Sequence, residues 1–110
     1  MCVFCKIVDK QIPAEIVYED DKYLAFKDIN PKAPIHILII PKKHIESFHL
    51  VKDKDDKKLV KWLLDIAWEI IDQQNLPGCQ LHMNSWSDHG QEVPHIHLHL
   101  LSKDKTSIKW

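Results

Sequence analysis

The period of apolar and polar positions changes along this chain, and the changes mark its elements. EIVYED and KYLAFKD, residues 15–20 and 22–28, are rich in β-branched and aromatic residues and are parted by acidic turn positions, which predicts a hairpin. HILIIP, from His36 to Pro41, is nearly continuous in apolar residues, the pattern of a strand covered on both faces. From about Asp55 to Gln74 the period becomes helical, and the LPG stretch at 76–78 ends it. CQLHMN, 79–84, alternates: Cys79, Leu81 and Met83 on one face, Gln80, His82 and Asn84 on the other. A loop, SWSDHGQE, delivers the chain to VPHIHLHLLS, 93–102, where His95, His97 and His99 alternate with Ile96, Leu98 and Leu100.

Phe4 to Lys10 reads as a short helix stopped before Pro13, and INPKAP as a loop. Strands grouped around one long helix, joined by hairpins rather than βαβ units, predict an α+β domain on a mainly antiparallel sheet. Residues 1–110 read as a single domain. On a helical wheel Leu59, Val60, Trp62, Leu63, Leu64, Ile66, Ala67, Ile70 and Ile71 span an arc of roughly 200°, twice what packing on one sheet needs, and Trp68 lies further round. The excess fits a deeply sunk helix or a second partner, a two-fold copy of the chain, and the second is favoured.

Composition narrows the function. The chain has 110 residues, 45% hydrophobic and 28% charged, with a net charge of −1, so the bulk electrostatics do not recommend a nucleic acid as partner. Two glycines, Gly78 and Gly90, are too few for a Walker-type loop or a GxGxxG fingerprint. With no long apolar run near the N-terminus and three cysteines, an odd number, the expectation is a cytoplasmic chain without membrane segment or disulfide framework.

The row of histidines carries the sharpest chemistry. On a regular strand His95 and His99 stand roughly 13 Å apart, too far for one zinc to bind all three rings. A row of imidazoles can instead surround a phosphoryl group, the central nitrogen acting as nucleophile and its neighbours as hydrogen-bond donors. An unperturbed pKa near 6.5 allows neutral and protonated rings side by side, and attack needs the central one neutral.

HIHLHLL matches the HxHxHxx signature of the histidine triad superfamily. With GQEV before it and AFKDINPKAPIHILIIPKKHI upstream, the chain resembles the Hint branch, the purine nucleoside phosphoramidases. The resemblance implies the histidine triad fold, a sheet of about five strands with one long and one short helix, and a homodimer. It also implies hydrolysis of the P–N bond of purine nucleoside 5′-phosphoramidates through a nucleotidyl-histidine intermediate, with no cofactor needed for the chemistry. His97 would attack the α-phosphorus, His95 would position it, His99 would contact phosphate oxygen, and His36 would support the triad. Asn84, Gly90, Gln91 and Glu92 correspond to the phosphate loop. Asp28 corresponds to the ribose-binding acid, and Phe4, Ile7, Phe26 and Ile29 to the apolar wall against the base.

Two alternatives share this sequence: a dinucleoside polyphosphate hydrolase of the Fhit-like branch, and a non-catalytic nucleotide sensor or scaffold. GQEV and the PKKHI block favour the Hint branch, and the intact triad favours catalysis. The chain departs from the family pattern at Glu92, where the eukaryotic branch has serine, at Pro94, at His89, which replaces a glycine, and in its tail, where the resemblance makes Trp110 the residue that would reach a partner's site. Cys2 and Cys5 form a CxxC that alone fits redox or metal use. In the family such a pair joins two histidines in a structural zinc site, here His44 and His95. His49, His82 and Cys79 are read as having no chemical role.

Overall fold

The computed structural model describes residues 2–103, so Trp110 lies outside the described residues. Five strands form one antiparallel sheet in the order β1-β2-β3-β5-β4: β1 Ile16–Glu19, β2 Tyr23–Lys27, β3 Ile35–Pro41, β4 Gln80–His82 and β5 Leu98–Ser102. The expected α+β architecture is thus present, and the HILIIP run is the middle strand.

The hairpin β1–β2 is made by one side chain. Asp20 accepts from the N–H groups of Lys22 and Tyr23 through Oδ1, at 2.8 and 2.7 Å, and from the Tyr18 hydroxyl through Oδ2 at 2.7 Å. A short acidic residue that bonds the backbone two and three positions on closes a turn.

Alternation then sorts the sheet into two faces. Leu24 and Phe26 of β2 and Leu38 and Ile40 of β3 face the short helix α1, Val3–Val8, which buries Phe4 and Ile7 against them. Tyr23, Ala25, Ile37, Ile39, Leu98 and Leu100 face the other way, onto α2, Lys54–Lys61, and α3, Leu63–Gln74. At about 1.5–3 kcal/mol for each large apolar side chain fully buried, Phe4 and Ile7 suffice to hold a six-residue helix that could not stand alone.

The long helical run is interrupted once, at Trp62, which ends α2 and caps α3. The apolar stripe continues across this break, so periodicity does not reveal it. Asn75, in the left-handed conformation at φ 51°, ends α3 just ahead of the LPG turn. Of the wide apolar arc, Val60, Leu63, Ile66, Ala67 and Ile70 are buried, whereas Trp62 and Leu64, at 48% and 46%, and Trp68 beyond the arc, at 63%, are exposed. No helix among the described residues is long and apolar enough to cross a membrane.

Candidate functional site

β3 and β5 pair with Leu38 opposite His99, so His36 and His99 project from the face that carries α1. Only His99 of the three alternating histidines lies within β5. His95 and His97 precede the strand, which corrects the expectation of three rings on one regular strand. Pro94 has no N–H to offer the ladder; the His95 N–H turns back to the Val93 carbonyl at 2.8 Å, and the Ile96 N–H bonds Ile45 at 2.7 Å. The chain leaves the sheet here, and the rings take different surroundings.

Each ring's tautomer follows from its partner, because a carbonyl can only accept and a backbone N–H can only donate. His97 Nδ1 lies 2.8 Å from the His95 carbonyl. The proton is therefore on Nδ1, and the Nε2 lone pair is left available. His95 Nε2 lies 2.8 Å from the Pro41 carbonyl, so Nε2 carries the proton and Nδ1 the lone pair. The Lys32 N–H donates to His36 Nδ1 at 3.1 Å, which puts the proton of His36 on Nε2. That Nε2–H faces His99 Nδ1 at 3.0 Å and Asp28 Oδ2 at 3.5 Å. His99 thus accepts at Nδ1 and keeps its own proton on Nε2.

All four rings are held neutral. Burial pushes His97 and His36 below the ordinary histidine value. Burial, aided by nearby rings, pushes His95 down to about 4 and His99 to about 3.

A cleft of about 260 Å³ opens beside the triad, lined by Phe4, Ile7, Phe26, Asp28, Ile29, Glu92, His97 and His99 among others. It brings together every residue assigned to the nucleoside wall, although Ile29 is 88% exposed and stands at the rim. Asp28 Oδ1 accepts from the Asn30 N–H at 2.9 Å, fixing the carboxylate at the mouth. Asn84, Gly90 and Gln91 do not line this cleft. Asn84 Nδ2 donates to the Gly90 carbonyl at 3.1 Å, and a Cβ on Gly90, whose φ is 92°, would meet that nitrogen at 3.1 Å. The Gln91 amide is buried and fully used: Oε1 accepts from Ser47 Oγ and the Trp86 N–H, and Nε2 donates to the Glu46 and Val93 carbonyls. Its side chain shapes the loop and has nothing left for phosphate.

Cys2 Sγ, Cys5 Sγ, His44 Nδ1 and His95 Nδ1 form a second constellation. Their six mutual distances run only from 3.3 to 3.6 Å. A regular tetrahedron of that edge has its centre about 2.1 Å from each vertex, a zinc–ligand distance. The His95 lone pair points there because the ring's other nitrogen is bonded to Pro41. Cys2 also caps α1, accepting from the Cys5 N–H at 3.4 Å. Burial, with Cys2 beside it, pushes the Cys5 thiol up, a shift that a bound dication reverses. These four residues fit a closed structural zinc site.

One residue expected to have no chemical role stacks on the triad from outside the cleft. His82 on β4 is directly opposite His99, and the two rings stack with centroids 4.2 Å apart and 14° between planes. The only sequence signal was its parity with Asn84. His49, also set aside, bonds Ser85 through Nδ1 at 2.8 Å and supports the loop.

The HIT domain family model matches residues 9–106. A purine nucleoside phosphoramidase of Escherichia coli strain K12 is 43% identical over 101 residues, covering 90% of this chain and 84% of its own. A HIT family hydrolase from Legionella pneumophila superposes with TM-score 0.87 at 46% identity, covering 100% of this chain and 97% of that one. A histidine triad protein from Clostridium difficile superposes with TM-score 0.88 at 40% identity, covering 99% and 96%.

Proposed function

Because the chain belongs to the HIT domain family, we propose that it is a hydrolase that cleaves the P–N bond of purine nucleoside 5′-phosphoramidates. The observation that carries this is the neutral, buried His97 ring, whose Nδ1–H is bonded to the His95 carbonyl so that Nε2 is free to attack at a cleft it shares with His99. The phosphoramidase similar to this chain supports the choice of P–N bond and of purine.

In this reading the base lies against Phe4, Ile7 and Phe26, and Asp28 accepts hydrogen bonds from the ribose hydroxyls. His97 Nε2 attacks the α-phosphorus, the P–N bond breaks, and the nitrogen leaves as an amine with a proton taken from solvent, which the hydrolysing water later returns. His99 donates its Nε2–H to a phosphoryl oxygen, where negative charge grows. Water then attacks the same phosphorus, releasing the nucleoside monophosphate and restoring His97. Cys2, Cys5, His44 and His95 would hold a structural zinc, which would fix the segment whose carbonyl orients His97, and the chemistry itself requires no cofactor.

The reading includes a homodimer. Its support is the edge strand β4 with exposed Leu81, exposed Leu64 and Trp68 on α3, and an apolar groove of about 600 Å³ lined by Leu64 and Met83 among others.

Intact-mass measurement after brief mixing with adenosine 5′-phosphoramidate tests the mechanism. An adenylated protein is expected in the wild type and none in His97→Ala; an adduct of equal abundance in both would remove His97 from the role.

A further inference from the structure

The sheet delivers a further imidazole, beyond His36, to the triad from its edge strand. β4 is three residues long, and its last residue, His82, is the register partner of His99 on β5. Directly opposed residues on one face of an antiparallel pair interact most strongly. Here the contact is a near-parallel stack of two rings, 4.2 Å and 14°, whereas His97 and His36 meet His99 at 61° and 39°.

His99 has two requirements in the proposed mechanism. Its Nδ1 must stay in line with the His36 Nε2–H, and its Nε2–H must stay aimed at the phosphoryl oxygen. The ring swings only about its Cα–Cβ and Cβ–Cγ bonds, and the single bond to His36 restrains those swings without ending them. A flat neighbour on the ring's face narrows them further, because turning out of plane would drive one ring edge into the other. We propose that His82 is a positioning residue: by stacking on His99 it holds that imidazole in the plane where His36 sets its tautomer and its remaining N–H serves the phosphoryl group.

The role is carried by the ring's plane, not by its nitrogens. An aromatic pair of this kind corresponds to about a two- to tenfold effect in rate. The inference rests on the phosphoryl-transfer reading above, so its test includes a measurement that needs no turnover.

The experiment compares wild type, His82→Val and His82→Phe. With adenosine 5′-phosphoramidate, His82→Val is expected to lose about fivefold in kcat while KM stays within about twofold. His82→Phe, which keeps a flat ring, is expected to retain at least half of kcat. The ¹⁵N shifts of the His99 ring should show one tautomer, protonated at Nε2, in wild type and in His82→Phe, and a mixture in His82→Val. An unchanged kcat and tautomer in His82→Val would overturn the proposal, as would a His82→Phe that falls as far as His82→Val. Should His82→Val fail to fold, the folded His82→Phe decides alone: loss there overturns the plane as the cause. If the wild type turns over no phosphoramidate, the tautomer comparison still stands, and the functional reading fails separately.

Discussion

Two clusters flank His97, and each brings ligand-type atoms within 4.8 Å of one another: Cys2, Cys5, His44 and His95 on one side, Asp28, His36 and His99 on the other. By distance alone both could hold a cation. The protons separate them. In the first, the bond from His95 to Pro41 leaves a lone pair aimed inward. In the second, the Lys32 N–H occupies the His36 lone pair at Nδ1, so a proton points inward from Nε2. A metal at that nitrogen would require a proton on Nδ1, facing another N–H. The first cluster is arranged to receive a cation, the second to pass a hydrogen bond along. The group on a ring's far nitrogen, not the spacing of the near ones, decides its use.

Substitutions should pull the clusters apart. His99→Ala is expected to lower kcat/KM by about 10²–10³-fold with little change in melting temperature, because it removes a donor to developing charge. Steady-state kinetics and calorimetry check this, and an equal loss in His44→Ala would erase the distinction. Replacing Cys2 and Cys5 together by serine should abolish zinc binding and cost about 3 kcal/mol or more, seen as a fall of about 10 °C or more in the thermal midpoint. A doubly substituted protein that melts with the wild type would show that the tetrad holds no structural metal.

Acid should weaken the relay side. His99 and His36 titrate lower in the folded chain than when unfolded, so below pH 6.5 the unfolded chain binds the extra protons, for His99 down to about pH 3. The stability from these rings is complete above pH 6.5 and is lost as pH falls, by up to about tenfold in the folding equilibrium per unit for each ring. Urea unfolding at pH 6.5 and 5.0 measures it; identical free energies would contradict the neutral assignment. The smallest expected effect is a null one. Metal-free protein titrated with zinc should take up one equivalent per chain tightly, and a second tight equivalent lost in His36→Gln would break the contrast.

Much of this was legible in the residues, and what was not has physical causes. The covered strand HILIIP and the hairpin at Asp20 follow from pattern and turn chemistry, and the cleft residues from motif position. His82 was passed over because its partner lies seventeen positions away, and only the β4–β5 register sets them face to face. The alternation of His95, His97 and His99 suggested one strand face, yet Pro94 withholds the N–H that would have extended the ladder. Gln91 sits where a phosphate ligand was expected, but a buried amide must satisfy its own four hydrogen bonds first. The break at Trp62 was invisible because the apolar stripe runs straight through it.

β3 acts as the common ruler of both clusters. His36 near its start sets the relay, and the carbonyl of Pro41 at its end sets the lone pair of His95. Moving that strand by one residue against its neighbours would turn His36 to the opposite face and withdraw the Pro41 carbonyl in the same step. Relay and tetrad therefore share a single mechanical fate: an insertion in these seven residues would disable both together, and neither can drift while the other stays in place.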